Sequence, residues 1–307
     1  MKYALWRMVL GRAPKIELTR KRYLEIATSL RGIYEIVGIE DEWDSVIENY
    51  VELESAILNI ALRDMVSIKD ESQMYRDRRT VSRKLSNFLS SCRAFFDRSE
   101  RKVSKLAKDI KGLDISFKKF RQKSYDSSLA FRLMEALRNY SQHSSAPLHG
   151  IVYDGRWMED RDPKALRHTI GVYINAKILK SDRNFKSSVL DELLKKDEKI
   201  PLLNVIRLYL RSLSEIRENL QKEMESKEKE WLSNIEKATD EYKAISGGDA
   251  LGLGVTEFDA DGRIVKEDHF VPSTFEALKG LRIKNRKLVN FELQYVSSEL
   301  TQKWVND

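Results

Sequence analysis

The chain is poor in the residues that disulfide-rich, β-rich and disordered proteins contain in quantity. Its 307 residues include one cysteine, 5 prolines and 13 glycines. The single cysteine, Cys92, excludes an intrachain disulfide and a cysteine metal site, and suits a reducing cytoplasm. With 34% charged and 41% apolar residues, the composition favours a helical protein of one large or two smaller domains.

Long apolar runs are also lacking. None approaches the roughly 18 residues that a membrane-spanning helix needs. The opening residues MKYALWRMVLGR begin as a signal peptide does, but Arg7 and Arg12 interrupt the apolar segment early. The sequence therefore predicts a cytoplasmic protein that is neither secreted nor embedded in a membrane.

Positive charge is present, and it is concentrated in one stretch. Residues 76–123 hold sixteen basic and five acidic residues, a net charge of +11, against +7 for the whole chain. A basic block on a mildly acidic body is typical of a protein that binds a polyanion such as RNA. A solvated helix face is the alternative interpretation of the same charge.

Apolar residues recur at helical spacing in four segments, which predict a core bundle of four amphipathic helices. The segments cover residues 23–37, 43–60, 85–106 and about 127–145. Cys92 falls on the apolar stripe of the third segment and is expected to be buried. Asp126 or Ser127 is the expected N-cap of the fourth helix, and Pro147 and Gly150 follow its end.

A β-rich segment and a long helix come next. Residues 150–180 contain two short segments, IVYDGRW and HTIGVYINA, that are rich in β-branched and aromatic residues. This pattern predicts a β-hairpin. Pro201 suits the first turn of a long helix that ends at Gly247. The apolar residues of this helix recur near heptad spacing, and Lys227 interrupts them. Either an antiparallel helix within the chain or a second copy would cover this apolar seam.

The last part of the chain predicts a second hairpin and a final helix. Residues 254–271 form the hairpin, with Asp261-Gly262 at its turn. The sequence DADG resembles the start of a calcium loop, but no glutamate follows at the required position, so no metal is expected. The final helix is predicted from Pro272 or Ser273 to Trp304.

The fourth helix ends in the sequence RNYSQH, which brings an arginine and a histidine to one helix terminus. On an ideal helix its apolar residues face the core and its polar residues fill an opposite arc of about 140°. The polar arc holds Arg132, Glu135, Arg138, Asn139, Gln142 and His143. Glu135 lies one turn before Arg138 and is predicted to hold its guanidinium.

Arg138, Asn139 and His143 resemble the R-x4-6-H signature of HEPN-domain ribonucleases, in which a polar residue, often asparagine, follows the arginine. The resemblance covers mainly residues 15–150 and implies a helical bundle with the motif near a helix end. It also implies a metal-independent endoribonuclease without a cofactor, in which two motifs meet across a homodimer. Such enzymes commonly serve as toxins or antiviral effectors, so an antitoxin or regulatory partner is expected.

With this resemblance, the sequence predicts a mainly α protein: a HEPN-like bundle with a long helix and one or two small β-hairpins. Residues 1–150 form the bundle that carries the motif, and residues 151–180 form an inserted hairpin. Residues 181–248 form a helical hairpin whose long helix completes the bundle. Residues 249–307 form the second hairpin and the C-terminal helix.

The motif residues suit the cleavage of RNA by attack of the 2′-hydroxyl on the adjacent phosphorus. His143 can move protons near neutral pH, and Arg138 can offset charge on the phosphorane oxygens. Asn139 or Gln142 would orient the histidine or the phosphate. The basic stretch would guide the RNA backbone through phosphate contacts. Predicted substrate-binding residues are Gln142, Glu135, Arg132, Arg83 and Arg93.

Other interpretations of the same residues stay open. Arg161 to His168 and Arg263 to His269 also have the R-x4-6-H spacing, but outside a helix end. His149 is either a second proton carrier or a loop residue. The motif itself could be a surface polar cluster, on a non-catalytic helical module that binds RNA or nucleotides, or on a coiled-coil structural protein.

Overall fold

A computed structural model describes residues 1–9, 13–68, 70–159, 164–183 and 185–296, and within them the chain is mainly helical with two small antiparallel sheets. The helices are α1 (Arg20–Val66), α2 (Glu71–Leu106), α3 (Leu113–Ser127), α4 (Leu129–His143), α5 (Ala176–Lys180), α6 (Ser187–Leu194), α7 (Leu202–Ser246) and α8 (Pro272–Lys284). The strands are β1 (Lys2–Arg7), β2 (Lys15–Leu18), β3 (Gly150–Met158), β4 (Ala165–Asn175), β5 (Lys199–Pro201), β6 (Leu253–Phe258) and β7 (Ile264–His269).

The first two predicted helices are one continuous helix, α1. The Thr19 side chain caps its start by accepting a hydrogen bond from the Arg22 backbone N–H at 3.2 Å. Between the two predicted segments, Gly38 is helical, and the Lys102 side chain of α2 lies 2.3 Å from the position that a Cβ atom would take there. The prediction of separate helices over 23–37 and 43–60 is therefore wrong.

The long helix α7 runs antiparallel to α1 within the same chain. Trp231 near the end of α7 packs against Gly32 near the start of α1, where a Cβ atom would lie 2.4 Å from the indole ring. At the other end, the Arg207 Nε–H donates to Glu54 Oε1 at 2.9 Å. An intrachain partner thus covers the apolar seam of α7, and a second copy is not needed to explain it.

A buried ion network joins α1, α7 and α8 at the middle of this helix pair. Arg217 donates to Glu40 at 2.8 Å through Nε and at 2.6 Å through Nη2, and both side chains are almost fully buried. Gln221 and Arg282 also donate to Glu40, and Arg282 pairs with Glu228. Every charge of the network is therefore balanced, as burial requires.

We expect Glu40→Gln to destabilise the fold by about 3–5 kcal/mol, because it leaves the buried Arg217 guanidinium without its carboxylate. The matched control is Glu52→Gln, on the same helix, since Glu52 forms an exposed ion pair with Lys84. That change should cost at most about 1 kcal/mol. Urea unfolding measures both values, and equal costs for the two variants would contradict the buried network.

Helices α2, α3 and α4 pack beside this pair and build the aromatic core. Phe131 of α4 lies 5.9 Å from Phe96 of α2 and 5.1 Å from Tyr209 of α7, measured between ring centroids. Cys92 is buried in the same core, which confirms that prediction. The sequence patterns did not predict α3, which starts after Gly112 in a left-handed conformation with φ of 82°. The cap of α4 is Ser128, so the predicted caps Asp126 and Ser127 lie two residues and one residue too early.

The two sheets contain both predicted hairpins and add strands to each, but residues 176–180, predicted as part of the first hairpin, form α5 instead. The hairpin β3–β4 gains β5 at its edge, and β6–β7 belongs to a four-stranded sheet of order β2-β1-β6-β7. The N-terminal strands β1 and β2 were not predicted. They pair with each other, and β1 also pairs with β6, where the register partner of Tyr3 is Glu257 at the other end of the chain. At the β6–β7 turn, Asp259 accepts hydrogen bonds from the backbone N–H groups of Asp261 and Arg263.

The final helix is shorter than predicted. Helix α8 ends at Lys284, Asn285 follows in a non-helical conformation, and a 3-10 helix covers Phe291–Leu293. The predicted end at Trp304 lies outside the described residues. Among those residues, no helix has both the length and the apolar character needed to cross a membrane.

Candidate RNA-binding groove

A groove of about 840 Å³ lies between the first half of α2 and the segment that follows α4. We call it the arginine groove. Its lining residues on α2 are Tyr75, Arg76, Arg78, Arg79, Thr80, Ser82, Arg83 and Ser86. Its lining residues on the other side are Ser141, Ser145, residues 146–149 and Ile178. Four guanidiniums and several hydroxyls therefore face one concave surface, to which no described carboxylate contributes.

The four arginines of the groove form no ion pair with the described residues, in contrast to two arginines further along α2. Arg76 is held by Ser72 and Gln73, neither of which is charged. Within the described ranges, no carboxylate pairs with Arg76, Arg78, Arg79 or Arg83, and all four are exposed. Further along α2, Arg93 pairs with Asp97 and Arg98 pairs with Glu42. Uncompensated positive charge thus collects in the groove, where it favours binding of a polyanion.

The motif residues lie at the C-terminal end of α4, beside the groove. Ser141, which lines the groove, is one turn after Arg138 and donates to the Arg138 carbonyl at 2.8 Å. The Arg138 Nη1–H donates to Asn139 Oδ1 at 3.1 Å. Its Nε–H is buried and has no acceptor among the described residues. Arg138 therefore keeps its Nη2 donors free for a phosphate, whereas the Nε–H is out of reach of a ligand and the Nη1 group is shared with Asn139.

His143 is exposed in the last turn of α4 and forms no hydrogen bond with the described residues. Five residues of ideal helix separate its side chain from that of Arg138 by about 140° around the axis and about 7.5 Å along it. It leaves the helix about 160° away from Ser141, on the side opposite the groove. Within one chain, the structure does not bring Arg138 and His143 into contact. Gln142 is exposed between them.

Three predicted substrate-binding residues are occupied by contacts within the chain. Glu135 accepts from Tyr209 at 2.8 Å and from Arg121 at 3.3 Å, so the prediction that it holds Arg138 is wrong. Arg132 donates to both carboxylate oxygens of Glu192 and to two backbone carbonyls. Arg93, paired with Asp97, also lies 4.0 Å from Glu135. The contacts of these side chains join α4 to the neighbouring helices. Of the predicted substrate-binding arginines, Arg83 lies in the groove.

His149 lies in the groove wall, and its tautomer follows from its contacts. The Asn175 backbone N–H donates to His149 Nδ1 at 2.7 Å, so the ring hydrogen is on Nε2. That Nε2–H is buried and has no protein acceptor among the described residues. The only lone pair of the ring is already used, so His149 cannot accept a proton without breaking its bond to Asn175. This geometry favours a loop role, with Nε2–H as a donor, over a proton carrier.

Burial lowers the pKa of His149 below its ordinary value of 6.5. Between the two pKa values the unfolded chain carries more protons than the folded chain, so stability rises with pH across that window. We expect the contribution of neutral His149 to the free energy of unfolding to be complete above pH 6.5 and to be lost as pH falls toward the pKa of the folded state. Urea unfolding at pH 7.5 and 5.5 should therefore show a smaller pH dependence in His149→Gln than in the parent. An equal reduction in His143→Ala, whose ring is exposed, would contradict the assignment.

The histidines of the other two R-x4-6-H spacings lie on strands and contact carboxylates. His168 Nδ1 lies 2.8 Å from Asp64 Oδ2, and Arg161 lies outside the described residues. His269 is on β7 and contacts Glu267 at 3.3 Å. Within the described ranges, no cluster of His, Cys, Asp or Glu side chains could hold a metal ion.

Comparison with known proteins identifies no relative: no family model, no curated protein and no solved structure matches this chain.

Proposed function

We propose that this protein is a metal-independent endoribonuclease that holds the RNA backbone in the arginine groove and cleaves it with Arg138 and His143. The observation that carries the proposal is the set of four unpaired arginines beside the helix end that bears the motif. Guanidinium groups bind phosphate through two parallel donors, and such contacts do not depend on base sequence. The resemblance to HEPN ribonucleases supports the same assignment.

The chemistry divides between the two motif residues. Arg138 offsets the charge that develops on the phosphorane oxygens through its Nη2 donors, which have no protein acceptor among the described residues. His143 takes the proton from the 2′-hydroxyl as this oxygen attacks the phosphorus. The bond from phosphorus to the 5′-oxygen breaks, and the 5′-oxygen takes a proton from water. The products are a 2′,3′-cyclic phosphate and a 5′-hydroxyl. Asn139 keeps the Arg138 guanidinium in place through their hydrogen bond.

A homodimer completes the site in this proposal. One His143 and one Arg138 diverge by about 140° on their helix, so one chain alone does not supply both groups to one phosphate. A two-fold axis would duplicate the α4 ends and bring His143 of one copy beside Arg138 of the other. The two arginine grooves would then lead RNA to a shared cleft.

The second candidate function is a non-catalytic RNA-binding module. The divergence of Arg138 and His143, and the absence of a hydrogen bond between them in the described chain, favour it. In this case the arginine groove binds RNA and the motif is a polar helix end.

Incubation of the purified full chain with RNA and a chelator tests the proposal and separates it from this alternative. We expect fragments that end in 2′,3′-cyclic phosphate. Tight, salt-sensitive binding without cleavage would support the second candidate instead. Absence of both binding and cleavage would contradict the two candidates together.

A further inference from the structure

Tyr75 is an exposed aromatic residue at the edge of the arginine groove, on the second turn of α2. Its relative exposure is 54%. An exposed aromatic ring contributes less to folding than a buried one, because less of its apolar surface is removed from water. The ring lines the groove beside the arginines. An exposed aromatic ring within an uncompensated basic surface is a common feature of sites that bind nucleic acid.

Two arginines pack around the Tyr75 ring. Arg78 and Arg79 follow it at i+3 and i+4, and the Cζ atom of each lies 5.7 Å from the ring centroid. These distances are near the cation–π limit of about 6 Å, so the guanidiniums border the ring without stacking tightly on its face, and their N–H donors stay available. Tyr75 and the two arginines thus form a unit in which one flat apolar surface is flanked by two phosphate-binding groups.

The opposite wall of the groove has apolar groups that complement this unit. Pro147, Leu148 and Ile178 line it, together with the hydroxyl of Ser145. Stacking on an aromatic ring needs an unpaired base, because the faces of bases in a duplex are covered by their neighbours. A groove with both phosphate-binding and apolar surfaces therefore suits a single strand better than a duplex.

We propose that Tyr75 is a base-stacking residue that makes the arginine groove selective for single-stranded RNA. The ring takes the face of one unpaired base, and Arg78 and Arg79 hold the phosphates on either side of that nucleotide. This inference rests on the proposed binding of RNA in the groove, but it does not depend on cleavage.

Equilibrium binding of a 2′-O-methyl oligonucleotide tests the inference, because this probe has no 2′-hydroxyl that could attack. The parent should bind the single strand more tightly than its duplex. Tyr75→Ala should weaken single-strand binding roughly 5- to 100-fold and leave duplex binding unchanged, whereas Tyr75→Phe should bind as the parent does. Tyr295→Ala is the matched control, since Tyr295 is 85% exposed and lies outside the groove.

Two further measurements separate stacking from an indirect effect on the arginines. A 2-aminopurine base in the strand should be quenched on binding to the parent and to Tyr75→Phe, but not on binding to Tyr75→Ala. The salt dependence of binding should be the same in the parent and Tyr75→Ala, since stacking releases no counterions. Equal losses for single strand and duplex, or unchanged binding by Tyr75→Ala, would overturn the inference alone. If the parent binds neither probe, RNA binding by the groove fails as well.

Discussion

Arg138→Ala and His143→Ala should each slow RNA cleavage in the presence of a chelator by roughly 10²- to 10⁴-fold, the usual contribution of a general acid–base group or a charge-stabilising donor. Arg138 supplies the positive charge for the transition state, and His143 supplies the proton transfer. Neither side chain forms an ion pair with a described carboxylate, so their removal should affect activity more than stability. Gel analysis of end-labelled RNA measures the rates, and urea unfolding checks the fold.

The chain provides its own control for this experiment. Arg263 and His269 have a similar spacing, but they lie on the β6–β7 hairpin and outside the arginine groove. Arg263→Ala and His269→Ala should therefore cleave RNA at the rate of the parent. Unchanged cleavage by both Arg138→Ala and His143→Ala would show that the motif is a surface polar cluster.

Reversal of the groove charge should have the second large effect. Arg78→Glu/Arg79→Glu should weaken RNA binding roughly tenfold or more at 0.1 M salt, because two phosphate contacts become repulsive. For a single strand, the loss of two phosphate contacts should make the negative slope of log K against log salt shallower by about 1.4. Fluorescence anisotropy over a range of salt concentrations measures both quantities.

The matched control changes the net charge by the same amount elsewhere in the basic stretch. Arg101 and Lys119 are exposed, lie within residues 76–123, and do not line the groove. Arg101→Glu/Lys119→Glu should retain most of the affinity and most of the salt slope. Equal losses in the two double variants would mean that the basic stretch acts through its total charge, not through the groove.

Apolar periodicity predicted the helical class and most of the long elements, because burial of one face dominates the choice of local structure. It misplaced the ends of helices and strands where tertiary contacts determine them. The helix continues through Gly38, where α2 packs closely against it, and no local pattern encodes that contact. The strand β1 is set by pairing with β6 about 250 residues away, which a single sequence does not reveal.

The candidate site shows the same limit. Arg138, Asn139 and His143 could be selected from the sequence because they share one helix end. The arginine groove could not, because it depends on the packing of α2 against the segment after α4. The stripe formed by Tyr75, Arg79 and Arg83 at intervals of four residues was a usable signal. The contact between Glu135 and Tyr209 had no such signal in the sequence, since helical spacing alone places Glu135 on the polar face.

Photo-crosslinking tests most directly whether RNA lies in the arginine groove. A 4-thiouridine-substituted RNA is irradiated with the parent protein at physiological salt, and the crosslinked peptides are mapped by mass spectrometry. We predict crosslinks within residues 75–86 and 141–149, the two walls of the groove. Crosslinks confined to residues 98–123, with both walls unmodified, would contradict the assignment.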